Sequence, residues 1–341
     1  MITKLDIKGY KSIKKQSFDF RNITIFTGLN STGKSSVIQS LLLFSSFSSN
    51  NLLMRNEMKK FTKFSDVRNR YENANEIIFK VYEEENTSTL NIKRDSKWKV
   101  DNPLDSFIFE ENLFYISSNR IGAEEMAHYD EDIKFGLDGK YVFSYFEQYK
   151  HKMIDETLIK DKSSSTLERQ LSYWFKHILD LDLTLKTEKI TTNVVKVSFI
   201  CDGLDNLSPF NVGAGNSYLA KILIMGLSCK KDNILIIENP EIHLHPKAQA
   251  KIAEFFAFLA SKGIQIILET HNDHIINRLC YEEYKQVLKK DEIVIYYKNS
   301  ILEPFEKIEI QNGQFLDQNA NNQFPEGFFD ATLAEIFEIN G

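Results

Sequence analysis

Apolar and polar residues alternate through 2–10 and again through 18–26, with the basic run 11–16 between them, so the chain is expected to open with two strands joined by a turn. The second strand feeds a glycine-bearing loop at 28–36, which opens a helix with an apolar body over 37–47 and a turn-forming Ser-Ser-Asn-Asn exit at 48–51. Segments 76–81, 88–93 and 97–100 read as a short antiparallel meander. Between 141 and 186 the pattern turns helical, broken by polar residues at 161–166 and amphipathic over 167–179. A strand at 194–201 precedes a glycine turn and helix at 213–227, apolar at Leu219, Leu223 and Leu227. Two apolar strands, 233–237 and 263–268, flank a helix at 246–260, the strand–helix–strand order of a parallel sheet. Further strands at 291–297 and 307–310 lead to an aromatic tail at 324–337, read as a hydrophobic strap on the core. Without repeats or heptads, no long coiled-coil arm is expected.

A chain of 341 residues, 42% hydrophobic and 26% charged, is a globular protein of one large domain or two joined ones. Its apolar runs fall short of the roughly 18–20 residues that span a bilayer, and its N-terminus lacks a signal-peptide pattern. The expectation is a cytoplasmic protein with no membrane contact. Cys201, Cys229 and Cys280 have no ligand spacing and read as small apolar fillers. A net charge of −6 gives no global field for nucleic acid, so any DNA contact must be local. The candidates are the basic stretch 59–70, read first as a solvated surface, and the short run at 150–152.

Gly28-Leu-Asn30-Ser31-Thr32-Gly33-Lys34-Ser35-Ser36 fits G-x-x-x-x-G-K-[ST] with a strand before it and a helix after it. In such a loop, backbone N–H groups and the helix N-terminus face phosphates and Lys34 brings a point charge to the β/γ oxygens. The Ser35 hydroxyl is placed to ligate Mg²⁺. The loop therefore points to ATP and Mg²⁺.

The strand ending in Glu238 delivers a carboxylate where a metal-side acid is expected, making Glu238 the second metal candidate after Ser35. His243 and His245, two apart in a turn, lack further ligands and read as structural. His271 follows the third apolar strand, at the carboxyl edge where ligands gather, and reads as a γ-phosphate sensor.

These residues carry a resemblance. GLNSTGKSS at 28–36, NVGAGNSY at 211–218, ILIIENPEIHLHP at 234–246 and ILETHNDHIINRL at 267–279 resemble the ABC-type ATPases of the SMC, RecF and OLD group. Among these the chain is similar to short stand-alone AAA-family ATPases found in antiviral loci, sharing FYISSNRIGAEE, FGLDGKYV and FPEGFFD segments at 114–125, 135–142 and 324–330. The resemblance implies an α/β fold: an ABC-type head with a mainly parallel central sheet, an antiparallel β subdomain and an inserted helical lobe. The expected division is 1–124, a helical lobe at 125–190, and 191–341. It further implies a homodimer or higher oligomer closing around two ATP molecules, with Gly213, Gly215 and Ser217 as a signature segment aimed at the partner copy's γ-phosphate. Arg120 matches a recurrent arginine that contacts phosphate or interface; an ordinary surface ion pair is an equal reading.

Two departures matter. Where SMC-type heads carry Asp then a catalytic Glu, this chain has Glu238 then Asn239, and an amide accepts no proton at neutral pH. Either Glu241 or Glu238 takes over as base, or hydrolysis is slow. OLD-type nucleases add a metal-dependent domain, but only 70 residues follow His271 here, without an Asp-x-Asp cluster. The leading expectation is a slow ATPase that dimerises on nucleotide and controls a separately encoded effector, a nuclease or toxin, in antiphage defence. The alternatives are a RecF/SMC-like DNA-binding ATPase in repair or maintenance, and an ATP-binding scaffold with little turnover.

Overall fold

The computed structural model describes residues 1–48, 58–61, 63–84, 86–94, 98–104, 107–130 and 133–316. In chain order its first elements are β1 (Lys4–Tyr10), β2 (Ile13–Asp19), β3 (Ile23–Gly28), α1 (Lys34–Ser48), α2 (Phe64–Val67), β4 (Glu76–Glu83), β5 (Asn86–Lys93) and β6 (Lys99–Asp101). There follow β7 (Leu113–Ile116), β8 (Met126–His128), α3 (Val142–Tyr149), α4 (Leu167–Leu179), β9 (Leu183–Lys189), β10 (Val194–Cys201), β11 (Leu204–Leu207) and α5 (Ala214–Leu227). The last are β12 (Ile234–Glu238), α6 (Pro246–Ser261), β13 (Gln265–Glu269), α7 (Asp273–Tyr284), β14 (Ile293–Lys298), β15 (Glu306–Gln311) and β16 (Gln314–Leu316). The described residues fall into two compact units, one within 1–109 and 280–341 and one within 110–279.

In the first unit, β2-β1-β4-β5-β6 form an antiparallel sheet, and β3 pairs in parallel with β14, which is followed antiparallel by β15 and β16. The hairpin differs from the expected strand–turn–strand. Residues 13–19 are already strand, because Ile13 and Phe18 turn inward while Lys14, Lys15 and Ser17 stay outside; the chain then breaks at 20–22 before β3. A short strand with exposed lysines looks like a turn by composition alone. Phe18, Phe26, Tyr296 and Phe305 pack ring to ring, with centroids 5.1–5.9 Å apart, and fix β2, β3 and β14 against one another. Such aromatic pairs contribute about 0.5–1.5 kcal/mol each beyond burial. Helix α1 is buried on nearly all sides, as an apolar helix inside a core must be.

In the second unit, β7, β12 and β13 are parallel and in register, with Ile237 beside Ile116 and Glu238 beside Glu269. The segment expected as a helical lobe holds α3 and α4, but begins and ends in strands: β8 and β9 both pair antiparallel with β10. Strand β9 carries Leu183, Leu185 and Thr187 inward in alternation, a period of two that follows directly on the helical pattern of α4. Trp174 of α4 seats on Phe255 and Phe258 of α6.

The tail at 324–337, including 324–330, lies outside the described residues, as do 49–51 of the exit turn. No described helix is long and apolar enough to cross a membrane. Cys229 and Cys280 are buried and Cys201 is half-buried.

Candidate functional site

The phosphate loop grows directly out of the sheet of the first unit. Strand β3 ends at Gly28, which stands beside Lys298 in the parallel register, and the Leu29 N–H donates to the Lys298 carbonyl at 3.1 Å. The chain then turns through Ser31 at φ +62° and Gly33 at φ +113° before Lys34 starts α1. Gly33 is obligatory on two counts: its φ lies where L side chains are strained, and a Cβ would stand 2.1 Å from Ser12 Oγ. Asn30 and Ser31 are exposed; Thr32 is buried and its hydroxyl donates to Leu29 O at 2.8 Å. From the β1–β2 turn, Ser12 Oγ donates to Thr32 O at 3.1 Å and ties the crest of the loop.

Lys34 is 3% exposed, and its Nζ donates to Gly28 O at 2.9 Å and Leu29 O at 2.6 Å. The ammonium is thereby curled inside the loop by the backbone that would share it with a phosphate. The Ser36 N–H donates to Gly33 O at 3.0 Å, closing the first turn over the half-buried Ser35. A glycine cradle, a helix N-terminus and an enclosed lysine fit a polyphosphate. No group of three His, Cys, Asp or Glu side chains among the described residues is disposed to hold a metal. A Mg²⁺ bound with a nucleotide would keep waters and phosphate oxygens as ligands, and the Ser35 hydroxyl at the start of α1 is the side chain of the loop that would meet it.

The second unit brings Arg120, Glu238, Asn239, Glu241, His271 and the α5 N-terminus together. Glu238 is 7% exposed at the end of β12; its Oε2 accepts the Ser118 N–H at 3.1 Å, and the Tyr115 hydroxyl hydrogen-bonds it. Burial, and after it the Glu238 charge, push the Tyr115 phenol well above its ordinary range. Arg120 is buried and donates to the carbonyls of Glu238 and Asn239, both at 2.8 Å, with its guanidinium 5.2 Å from the Tyr218 ring centroid. Burial lowers its pKa to about 10 against the opposing pull of Glu241, Tyr218 and Glu238. Arg120 forms no surface ion pair among the described residues; it is an internal clamp on the end of β12.

Asn239 sits at φ +45° with its N–H on Glu269 O at 2.7 Å. Its amide donates to Glu241 Oε1 at 3.3 Å, the His271 N–H reaches the same oxygen at 3.4 Å, and the Thr270 hydroxyl donates to Oε2 at 2.9 Å. Glu241 is thus the knot between the loops after β12 and β13. A carboxylate so occupied positions its neighbours. His271 is exposed on the loop after β13.

Gly213, at φ +88°, is the exposed N-cap of α5. Gly215 must lack a side chain because a Cβ would meet His243 O at 2.3 Å. Ser217 is 0% exposed, on the inner face of α5, and its Oγ has no hydrogen-bond partner among the described residues. Three further residues lay beyond the sequence reading: Tyr218, whose ring lies 4.9 Å from that of His243, Tyr115 and Ser12. Each contributes through a neighbour rather than a motif. His245 Nδ1 accepts the Lys247 N–H and caps α6, in keeping with a structural histidine. Lys150 turns inward onto Glu147 at 2.6 Å and Thr187 O at 2.8 Å, which removes it from the basic run at 150–152. Of the stretch 59–70, residue 62 and the side chains of 59 and 60 lie outside the described residues; Arg68 and Arg70 bond locally to Asn73 and Asp66.

A family model described as "AAA domain, putative AbiEii toxin, Type IV TA system" matches residues 60–277. The chain belongs to that family. A second model, described as "Protein of unknown function", matches residues 1–103, which contain the phosphate loop. Among curated proteins, the energy-coupling factor transporter ATP-binding protein EcfA2 of Lactococcus lactis subsp. cremoris is 26% identical over 32% of this chain and 36% of its own length. EcfA2 of Streptococcus agalactiae serotype Ia is 21% identical over 44% and 48%. The chain spans less than half the length of these relatives. An SMC head bound to the C-winged helix domain of ScpA superposes with a TM-score of 0.56 at 14% identity, covering 91% of this chain and 98% of that one. The SMC head with an extended coiled coil, bound to the C-terminal domain of ScpA derived from Pyrococcus furiosus, gives 0.54 at 13%, covering 100% and 99%. The chain carries an AAA domain on an SMC-head-like α/β fold.

Proposed function

We propose that this ABC-type ATPase binds ATP with Mg²⁺ at the loop 28–36, hydrolyses it slowly, and couples nucleotide binding to the pairing of two copies. The observation that carries the reading is the enclosed Lys34, whose ammonium is held by two carbonyls at the mouth of α1. On binding, Lys34 exchanges those carbonyls for phosphate oxygens, the N–H groups of 30–35 take the remaining charge, and Ser35 meets the metal. Magnesium, when bound, neutralises charge on the β- and γ-oxygens.

Glu238 is proposed as metal-side acid and proton acceptor, with Glu241 and Arg120 holding its strand end and loop in place. His271 is proposed as the sensor of the γ-phosphate. The exposed backbone at 213–214, rather than the Ser217 hydroxyl, would present N–H groups to the second copy's nucleotide. Slow turnover follows from Asn239. Closure of the pair is proposed to act on a separately encoded effector, a nuclease or toxin, in line with the toxin–antitoxin wording of the family description. DNA as a partner is the alternative; SMC heads superpose on the chain, but the inward turn of Lys150 weakens the surface first considered for it. Sedimentation of wild type and Lys34→Ala with Mg²⁺–ATP tests the reading: an ATP-dependent increase in mass only for the wild type is expected, and an unchanged profile with ATP bound would exclude the coupling.

A further inference from the structure

Lys298 closes β14 with 1% of its surface exposed. Its Nζ lies 3.4 Å from Ser12 Oγ and 4.9 Å from the centroid of the Phe305 ring, and a Cβ on Gly33 would stand 3.7 Å from it. The side chain therefore ends against the phosphate loop, on the side where Gly33 has no side chain. The charged groups on neighbouring elements are Lys34 of α1, Lys11 of the β1–β2 turn, and Glu303 and Glu306 flanking Phe305; strand β3 carries none. Lys298 makes no ion pair with any described residue. Burial alone lowers its pKa to about 8.

A buried ammonium is costly unless an anion compensates it, and such a group persists where one arrives with function. The anion the loop is built for is a polyphosphate. Ser12 links the two: its Oγ accepts from Lys298 and donates to Thr32 O.

We propose that Lys298 is a second lysine of the nucleotide site, a counter-charge behind Gly33 that stabilises the bound polyphosphate and holds Ser12 against the loop. This rests on the nucleotide-binding reading above. At pH 8 part of the Lys298 population is neutral; a bound polyanion favours the ammonium form, so binding draws a proton from solvent onto Nζ.

The test is titration calorimetry of wild type, Lys298→Met and Lys298→Arg with the magnesium complex of a non-hydrolysable ATP analogue at pH 8, in two buffers of different ionisation enthalpy. The wild type is expected to take up protons on binding, as a group titrating near the working pH does. Lys298→Met should take up correspondingly less and bind about tenfold more weakly, the loss of one modest charge-assisted contact. Lys298→Arg, permanently charged, should bind like the wild type with the uptake removed, a rescue that a merely structural role would not give. Should Lys298→Met not fold, the wild-type and Arg uptakes decide. Wild-type binding without uptake, or an uptake unchanged in the variants, would overturn the proposal while leaving nucleotide binding standing. Absence of any wild-type binding would overturn both.

Discussion

Arg120 donates to the main-chain carbonyl of Glu238 at 2.8 Å, and the carboxylate of that residue takes the Ser118 N–H at 3.1 Å instead. The guanidinium holds the end of β12 through the Glu238 and Asn239 carbonyls. Lysine has no fixed fork and cannot span the Glu238 and Asn239 carbonyls together. Arg120→Lys should lose about 1–3 kcal/mol of stability, from one buried acceptor left unmet. Its turnover should fall while ATP affinity holds. Denaturant melts with steady-state phosphate release check both; wild-type stability and turnover in the variant would contradict the clamp.

Gly33→Ala sets a Cβ 2.1 Å from Ser12 Oγ at φ +113°. The strain should cost about 1–3 kcal/mol and weaken ATP binding. Adding Ser12→Ala removes the clash but not the backbone strain, so the double variant should recover part of the binding loss. A double-mutant cycle on ATP affinity measures this; strict additivity would show that the two residues do not meet.

An obvious repair of the missing base is Asn239→Asp. The structure argues against it, since the Asn239 amide is a donor to Glu241 at 3.3 Å and an aspartate there would face a carboxylate. The variant is expected to be less stable and no faster. A turnover above wild type would show that position 239 reaches the chemistry after all.

These loops separate what the sequence discloses from what it hides. Strand 194–201, helix 167–179 and the loop 28–36 were legible because each is a local pattern: a period of two, a period of 3.6, and a motif in its strand–helix context. Strands 113–116, 126–128 and 183–189 were not: the first two are short with partners far along the chain, and the third runs on from a helical segment. Ser12 and Lys298, 286 residues apart, have no shared motif, and only the parallel pairing of β14 with β3 sets them at one loop. The burial of Ser217 was hidden for a related reason: a serine one turn into an apolar helix has its facing set by packing.

The depressed pKa of Lys298 has a consequence for stability as well. With a folded value of about 8 against an ordinary 10.5, the unfolded chain binds more protons between those values, so this group's penalty on the fold is full below about pH 8 and fades as pH rises toward 10.5. Lys298→Met should therefore melt above the wild type at neutral pH, with the gap closing at alkaline pH. A Met variant that melts lower throughout would mean the ammonium stabilises the fold.

The central claim is that the enclosed ammonium of Lys34 and the backbone around it receive a triphosphate. Calorimetric titration of Mg²⁺–ATP into the wild type and Lys34→Ala tests it most directly. Saturable heat from the wild type, reduced at least about tenfold in affinity or abolished in the variant, is the predicted result. A wild type that gives no heat, or a variant that binds equally well, would contradict it.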